Sequence, residues 1–184
     1  MRLLVHICCG PCAAYPVPRL QAEGHELSGF FYNPNIHPYR EYREREDSAR
    51  RLAREYGVEM VGSPGYELEG YLRQVCNRED IRCRFCYEMR LRKTAEAARE
   101  GAYDGFTTTL LVSPRQKHAM IREVGEQVAA EVGVPFYYED YRPGYREGTE
   151  RSKAMGLYRQ TYCGCIYSER DRYAPRADKR QRKE

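Results

Sequence analysis

Short apolar runs rich in β-branched and aromatic residues alternate with longer charged segments of helical period, and this alternation restricts the chain to few folds. RLLVHIC opens as a buried strand and breaks at CGPC. AAYPVPRLQAEG continues as a helix closed by Gly24, and Glu26 to Tyr32 forms a second strand ended by the turn-rich NPNIHP. From Pro38 to Tyr56 a helix carries Tyr42, Ala49, Leu52, Ala53 and Tyr56 on one face. VEMVG is the third strand, and a helical segment bearing Cys76 follows Pro64. Cys86 to Arg99 is a helix striped by Tyr87, Leu91, Ala95 and Ala98. A fourth strand ends near Thr108. Ile121, Val124, Val128 and Val132 mark a helix that stops at Gly133, and VPFYY is the fifth strand. Strands alternating with helices of this length predict a parallel α/β sheet wound in the Rossmann manner.

With 184 residues the chain suits one domain, expected over 1–173. From about Asp140 the composition turns to Cys, Tyr, Arg and Gly, so 140–173 is expected to be irregular apart from a short helix around Ser152 to Tyr158. The charged end, 174–184, reads as a flexible tail. No apolar run reaches the ~18–20 residues of a membrane span, and the N-terminal apolar stretch is too short for a signal sequence. A cytoplasmic protein without a membrane partner is expected. Basic residues number 31 and acidic ones 27, a net charge of +4, which suits a nucleic-acid partner without being diagnostic of one.

Eight cysteines fall in three groups: Cys8, Cys9 and Cys12; Cys76, Cys83 and Cys86; Cys163 and Cys165. A reducing cytosol does not sustain a disulfide framework, so grouped thiols point to metal or redox chemistry. Cys8, Cys9 and Cys12 form a CCxxC and Cys83 to Cys86 a CxxC, and two such pairs give four sulfurs, which fits either a structural zinc or an iron–sulfur cluster. Cys163 and Cys165, separated by one glycine, suit a strained and reducible disulfide, although the same thiols are able to ligate a metal.

In open α/β sheets ligands sit outside the carboxyl ends of the strands. Cys8 and Cys9, Asn33 and Asn35, and Thr108 and Thr109 with Ser113 all follow strands at that edge. Two of the chain's three asparagines are Asn33 and Asn35, which favours ligand contact over a plain turn. His6 reads as a core histidine. His37 is either an acid–base group or an exposed loop residue. Tyr137 to Tyr145 and Tyr158 to Tyr167, interleaved with Arg142, Arg146 and Arg159, would stack bases and bind phosphates, or simply pack a loop-rich edge. There is no GxGxxG, Walker or SGGxDS-like loop, so NAD and ATP find no local support.

CCGPC, FYNPNIHPYREYR, CRFCYEMRL, FTTTLLVSP, DYRPGYR and GLYRQTYCGCIYSERD together resemble the QueH type of epoxyqueuosine reductase, from about Leu3 to Arg170. The resemblance implies a Rossmann-like (adenine nucleotide alpha hydrolase-like) parallel sheet with flanking helices. It also implies reduction of the epoxide of epoxyqueuosine to queuosine at the wobble position of tRNA, without cobalamin. A [4Fe-4S] cluster is implied on Cys8, Cys9, Cys83 and Cys86, with Cys163 and Cys165 as the redox-active pair. A second metal ion, expected to be iron, has Cys12 and Asp140 as candidate ligands, with Asp80 a further carboxylate. Tyr32, Asn33, Asn35, Arg142, Arg159 and Gln160 are the candidates for holding the nucleotide, and the electron donor is unidentified. Two rival readings are a zinc-binding RNA module without catalysis and a thiol-dependent tRNA sulfur transferase, the latter lacking its adenylating loop here.

Overall fold

The computed structural model describes residues 1–62 and 64–175. Four strands, β1 (Arg2–His6), β2 (Glu26–Phe30), β3 (Glu59–Gly62) and β4 (Gly105–Thr108), form one parallel sheet in the order β3-β2-β1-β4. β1 lies inside, with Leu3 opposite both Leu27 and Gly105, and Leu3, Leu4 and Val5 are fully buried. A strand covered on both faces is free to be apolar at successive positions, which is why RLLVH does not alternate.

The helices are α1 (Gly10–Ala13), α2 (Pro16–Ala22), α3 (Tyr39–Glu55), α4 (Leu68–Val75), α5 (Arg82–Glu100), α6 (His118–Val132), α7 (Tyr145–Ala154) and α8 (Ile166–Tyr173). α5 crosses β1 and β4 and packs along α6, while α1 packs on α3. The stripe expected on α3 is buried at Tyr42, Ala49, Leu52 and Ala53, and that on α5 at Tyr87, Leu91, Ala95 and Ala98. Gly133 takes φ +80° and caps α6 in the left-handed conformation. Among the described residues no helix is long and apolar enough to cross a membrane.

Three expectations are corrected. VPFYY is not a strand: Phe136 forms one parallel bridge to Phe106. Pro135 can accept from Phe106 N–H (3.0 Å) but has no N–H to extend the ladder. α5 starts at Arg82, so Cys83 and Cys86 both lie on it, one turn apart. Beyond Asp140 the chain is more helical than its composition suggested. α7 stops at Ala154 because Gly156 turns left-handed, with φ +60°. α8 is capped by the Cys165 sulfur, which accepts the Ser168 N–H at 3.4 Å. The expected tail lies, from residue 176 onward, outside the described residues.

The close approach of α1 to α3 depends on Gly10. A Cβ there would stand 2.4 Å from Ser48 Oγ and 2.6 Å from its carbonyl oxygen. Gly10→Ala is expected to destabilise the fold by about 2 kcal/mol, as overpacking does. Thermal denaturation followed by circular dichroism should show a midpoint lower by about 4–8 °C.

Candidate metal and redox site

β1 delivers Cys8 and Cys9 to the carboxyl edge of the sheet, and α1 turns back at once to bring Cys12 beside them. Cys8 and Cys9 sulfurs are 3.8 Å apart, and all three Sγ atoms lie within 4.8 Å of one another. The helical turn that follows β4 contributes Thr109, whose Oγ1 accepts the Cys8 N–H at 3.2 Å and lies 3.5 Å from its sulfur. Hydrogen bonds from Cys12 and then Cys9 hold the Cys8 thiol well below its usual range. Burial pushes Cys9 up, and donation to Cys8 does the same for Cys12. Three soft donors at this spacing could hold a metal ion.

A second group forms across α5. Cys86 packs with Cys165, Tyr71 and Val75 in a small cluster apart from the main core. Burial pushes the Cys86 thiol up to about 12. Between the two groups lies Arg90, 2% exposed. Its Nη2 donates to Asn33 Oδ1 at 2.7 Å, Nη1 lies 3.6 Å from Cys86 Sγ, and Nε lies 3.3 Å from His6 Nε2. Burial and then the Arg90 charge lower His6 to about 3, so its imidazole is neutral. Among the described residues no carboxylate pairs with Arg90. Burial opposes its charge, and the Cys86 and Cys8 sulfurs outweigh that opposition. A buried cation needs a counter-anion, and among the described residues the Cys8 sulfur, held low, is placed to supply one.

The CGC segment is fastened from α3. Arg45, 2% exposed, donates to Glu41 Oε1 (2.7 Å), to the Cys163 carbonyl (2.9 Å) and to the Tyr162 carbonyl (3.0 Å). His37 N–H donates to the Gly164 carbonyl at 2.9 Å, and the Tyr162 hydroxyl donates to the His37 carbonyl. Gly164 has φ +132°, and a Cβ there would lie 3.0 Å from Ile36 and 3.2 Å from Arg45 Nη1. The two thiols therefore part company. Cys163 is exposed and receives Gln116 Nε2 at 3.4 Å, whereas Cys165 is buried beside Cys86. A cavity of about 380 Å³ opens against Cys8, Cys12, Cys163, Gln116, Arg159 and Gln160.

A family model described as "Epoxyqueuosine reductase QueH" matches residues 3–171. A protein of that name from Dehalococcoides mccartyi is 41% identical over 172 residues, covering 94% of each chain. Another from Thermotoga maritima is 33% identical over 185 residues, covering 96% of this chain and 94% of its own. The chain belongs to the QueH family. A third relative of the same name, from Haemophilus influenzae, is 34% identical over 179 residues and extends further, 72% of it being covered.

In this QueH-family chain Cys83 and Cys86 lie on α5, with Cys165 packed beside Cys86, and the other residues singled out from the sequence fall in three places. Cys8, Cys12, Cys163, Arg159 and Gln160 line the cavity, and Cys9 lies directly behind it, 3.0 Å from Gln160 Nε2. Tyr32, Asn33 and Asn35 are buried behind the site. The Tyr32 hydroxyl donates to Glu67 at 2.7 Å, and Asn33 Nδ2 donates to the Ile7 carbonyl at 3.0 Å. Asn35 is 1% exposed, and neither of its amide atoms has a partner among the described residues. Asp140 and Arg142 are not on the cavity wall. Arg142 Nε meets Asp140 Oδ1 at 2.8 Å, and His118 Nε2 stands 3.4 Å from the same oxygen. Arg142 holds the Asp140 carboxyl down at about 2.

His37 is buried, not exposed, with Nε2 3.0 Å from the Pro34 carbonyl. Cys76 is exposed, just past α4. Arg45, Arg90 and Gln116 escaped the sequence reading. The signal for Arg45 was a charge between Tyr42 and Ala49 on the apolar stripe of α3, and for Arg90 a charge one turn after Cys86.

Arg45→Met would leave Glu41 buried without its cation and is expected to cost about 3–5 kcal/mol. Urea denaturation should show that loss, and trypsin should gain access to the bond after Arg159, as mass spectrometry of the fragments would reveal. Adding Glu41→Leu should recover part of the stability.

Proposed function

We propose that this chain is an oxidoreductase that reduces the epoxide of epoxyqueuosine in tRNA to the alkene of queuosine. The observation that carries this reading is the QueH family match over residues 3–171, which spans all eight cysteines. We take 1–173 as one α/β metal–redox domain. The overall reaction consumes two electrons and two protons, breaks both epoxide C–O bonds and releases water as the C=C bond forms.

The residues suit a thiolate-bound metal centre. All eight cysteines are free, Cys8, Cys9 and Cys12 are already grouped, and the Asn35 amide is buried without a protein partner, as is expected where a bound group completes the bonding. Cys8, Cys9, Cys83 and Cys86 would hold a [4Fe-4S] cluster. Cys12 and Asp140 are proposed for a second metal ion, iron, a role for which Asp140 must be released from Arg142. Iron held by these residues would supply one-electron chemistry and Lewis acidity.

The chain's own contribution is charge and position. Arg90 compensates thiolate charge from within the fold, and Thr109 holds Cys8 by its backbone. Cys163 and Cys165 are proposed as the redox pair, a role for which the two thiols must first turn toward each other: their conversion to a disulfide releases the two electrons and two protons that the reaction consumes, and an external donor restores the thiols. Arg159 and Gln160 would meet the modified base at the cavity wall. Arg142 would act from outside the cavity, while Tyr32, Asn33 and Asn35 set the wall from behind. Among the described residues Arg115 and Arg159 form no ion pair, and both line the cavity, a disposition suited to RNA phosphates.

Anaerobic purification with iron and sulfide assays is the test, followed by turnover of epoxyqueuosine-bearing tRNA. About four irons and four sulfides per chain are expected for the cluster, with iron in excess of sulfide if the second site is filled. Cys83→Ala should abolish both the visible absorption and the reduction. Stoichiometric zinc without sulfide after reconstitution would overturn the reading. If about three phosphates are contacted, tRNA affinity should fall about 40-fold between 50 and 200 mM salt. A flat response in a titration would mean that only the modified loop is held.

A further inference from the structure

Gln160 meets the sulfur trio from the far end of the chain. Its Nε2 lies 3.0 Å from Cys9 Sγ and 3.4 Å from Cys12 Sγ. An amide carries two N–H donors and one carbonyl acceptor, and a thiolate only accepts. Cysteines that bind a metal are deprotonated, so the NH2 end of Gln160 must face them and the orientation of the amide is fixed. Its Oε1 then has nowhere to turn: it is buried and has no partner among the described residues. Gln160 nevertheless lines the cavity of about 380 Å³ beside Cys8, Cys12 and Cys163. One planar group thus has its donors on the sulfurs and a buried, unsatisfied acceptor, in a residue that also lines the cavity.

We propose that Gln160 is a two-sided positioning residue, whose N–H groups hold the Cys9 and Cys12 thiolates while its carbonyl accepts a hydrogen bond from a hydroxyl or N–H of the molecule in the cavity. This rests on the function proposed above for the identity of that molecule, whose cyclopentane ring carries hydroxyls. The sulfur contacts stand without it. Hydrogen bonds through one amide reinforce each other. A donor seated on Oε1 strengthens N–H···S donation, draws electron density from the thiolates and makes the metal they hold easier to reduce. Arrival of the substrate is thereby coupled to the readiness of the centre to accept electrons, and a molecule lacking the donor binds without that effect.

The sulfur side is tested with cobalt(II) alone, added to the full-length, metal-free protein under anaerobic conditions. The part of the thiolate-to-cobalt charge-transfer band that disappears in Cys12→Ser belongs to the trio. In Gln160→Leu that part should move to longer wavelength, and cobalt(II) affinity should fall about 10- to 100-fold. Gln160→Glu, close in size but without N–H donors, should shift the band in the same sense, and circular dichroism should show both variants folded. An unchanged band and affinity in both would overturn the proposal.

The substrate side is read as KM against kcat with epoxyqueuosine-bearing tRNA. Gln160→Leu is expected to raise KM about tenfold, and the carboxylate of Gln160→Glu, which keeps an acceptor, to raise it less. In the metal-loaded wild type, substrate should move the midpoint potential to a more positive value, and in Gln160→Leu it should not. A KM and potential that respond identically in wild type and Gln160→Leu would overturn the coupling. A wild-type protein that fails to reduce this tRNA at all would overturn the proposed function while leaving the cobalt result standing.

Discussion

The whole site turns on a positive charge enclosed without a carboxylate. Arg90 reaches from α5 under the sheet edge to Asn33, His6 and Cys86, and is almost wholly buried. Such a cation is tolerable only where something anionic stands near it. Every other buried choice in the region follows from that need. His6 remains a neutral imidazole, bound to Thr108 Oγ1 at 2.9 Å and the Tyr32 carbonyl at 3.1 Å. Asn33 turns its carbonyl toward Arg90 and its amide toward Ile7. Of the two sulfurs whose charge favours the Arg90 cation, Cys8 is held toward the thiolate by its neighbours, while burial keeps Cys86 a thiol.

A second buried arginine organises the other half. Arg45 holds the chain at Tyr162 and Cys163 through their carbonyls, while Glu41 balances its charge and accepts the Tyr158 hydroxyl. Guanidinium suits this task because its forked donors reach several acceptors at once, which an ammonium does less well. The cysteine pair consequently owes its position to α3 and the loop before it, not to regular structure of its own.

Much of the fold was legible because its strands and helices obey their periods. β1, β2, β3 and β4, the long helices α3 and α5, and the Gly133 cap all follow from local pattern. So did the convergence of Cys8, Asn33 and Thr108 at one edge, since parallel strands impose it. What local pattern could not show was tertiary. Pro135 cut the fifth strand to a single bridge, and α8 relies on a sulfur cap that no propensity scale anticipates. Arg45 and Arg90 looked like solvated charges because helix periodicity reports which face is covered, not whether an ion on that face has found acceptors. Asn33 and Asn35 were set apart as ligand contacts, yet both are buried behind the wall, where Asn33 bonds Arg90 and the Ile7 carbonyl.

Gly164 and Gln160 also bear on the order in which the molecule is made. The sulfurs of Cys8, Cys9 and Cys12 are synthesised before the amide that covers them, which follows Cys9 by 151 positions. Closing so large a loop costs little more entropy than closing one half its length, so the late cover is not thermodynamically penalised. Its lateness is kinetic. Until Gln160 has been added to the growing chain, the thiol trio lacks the amide that covers it.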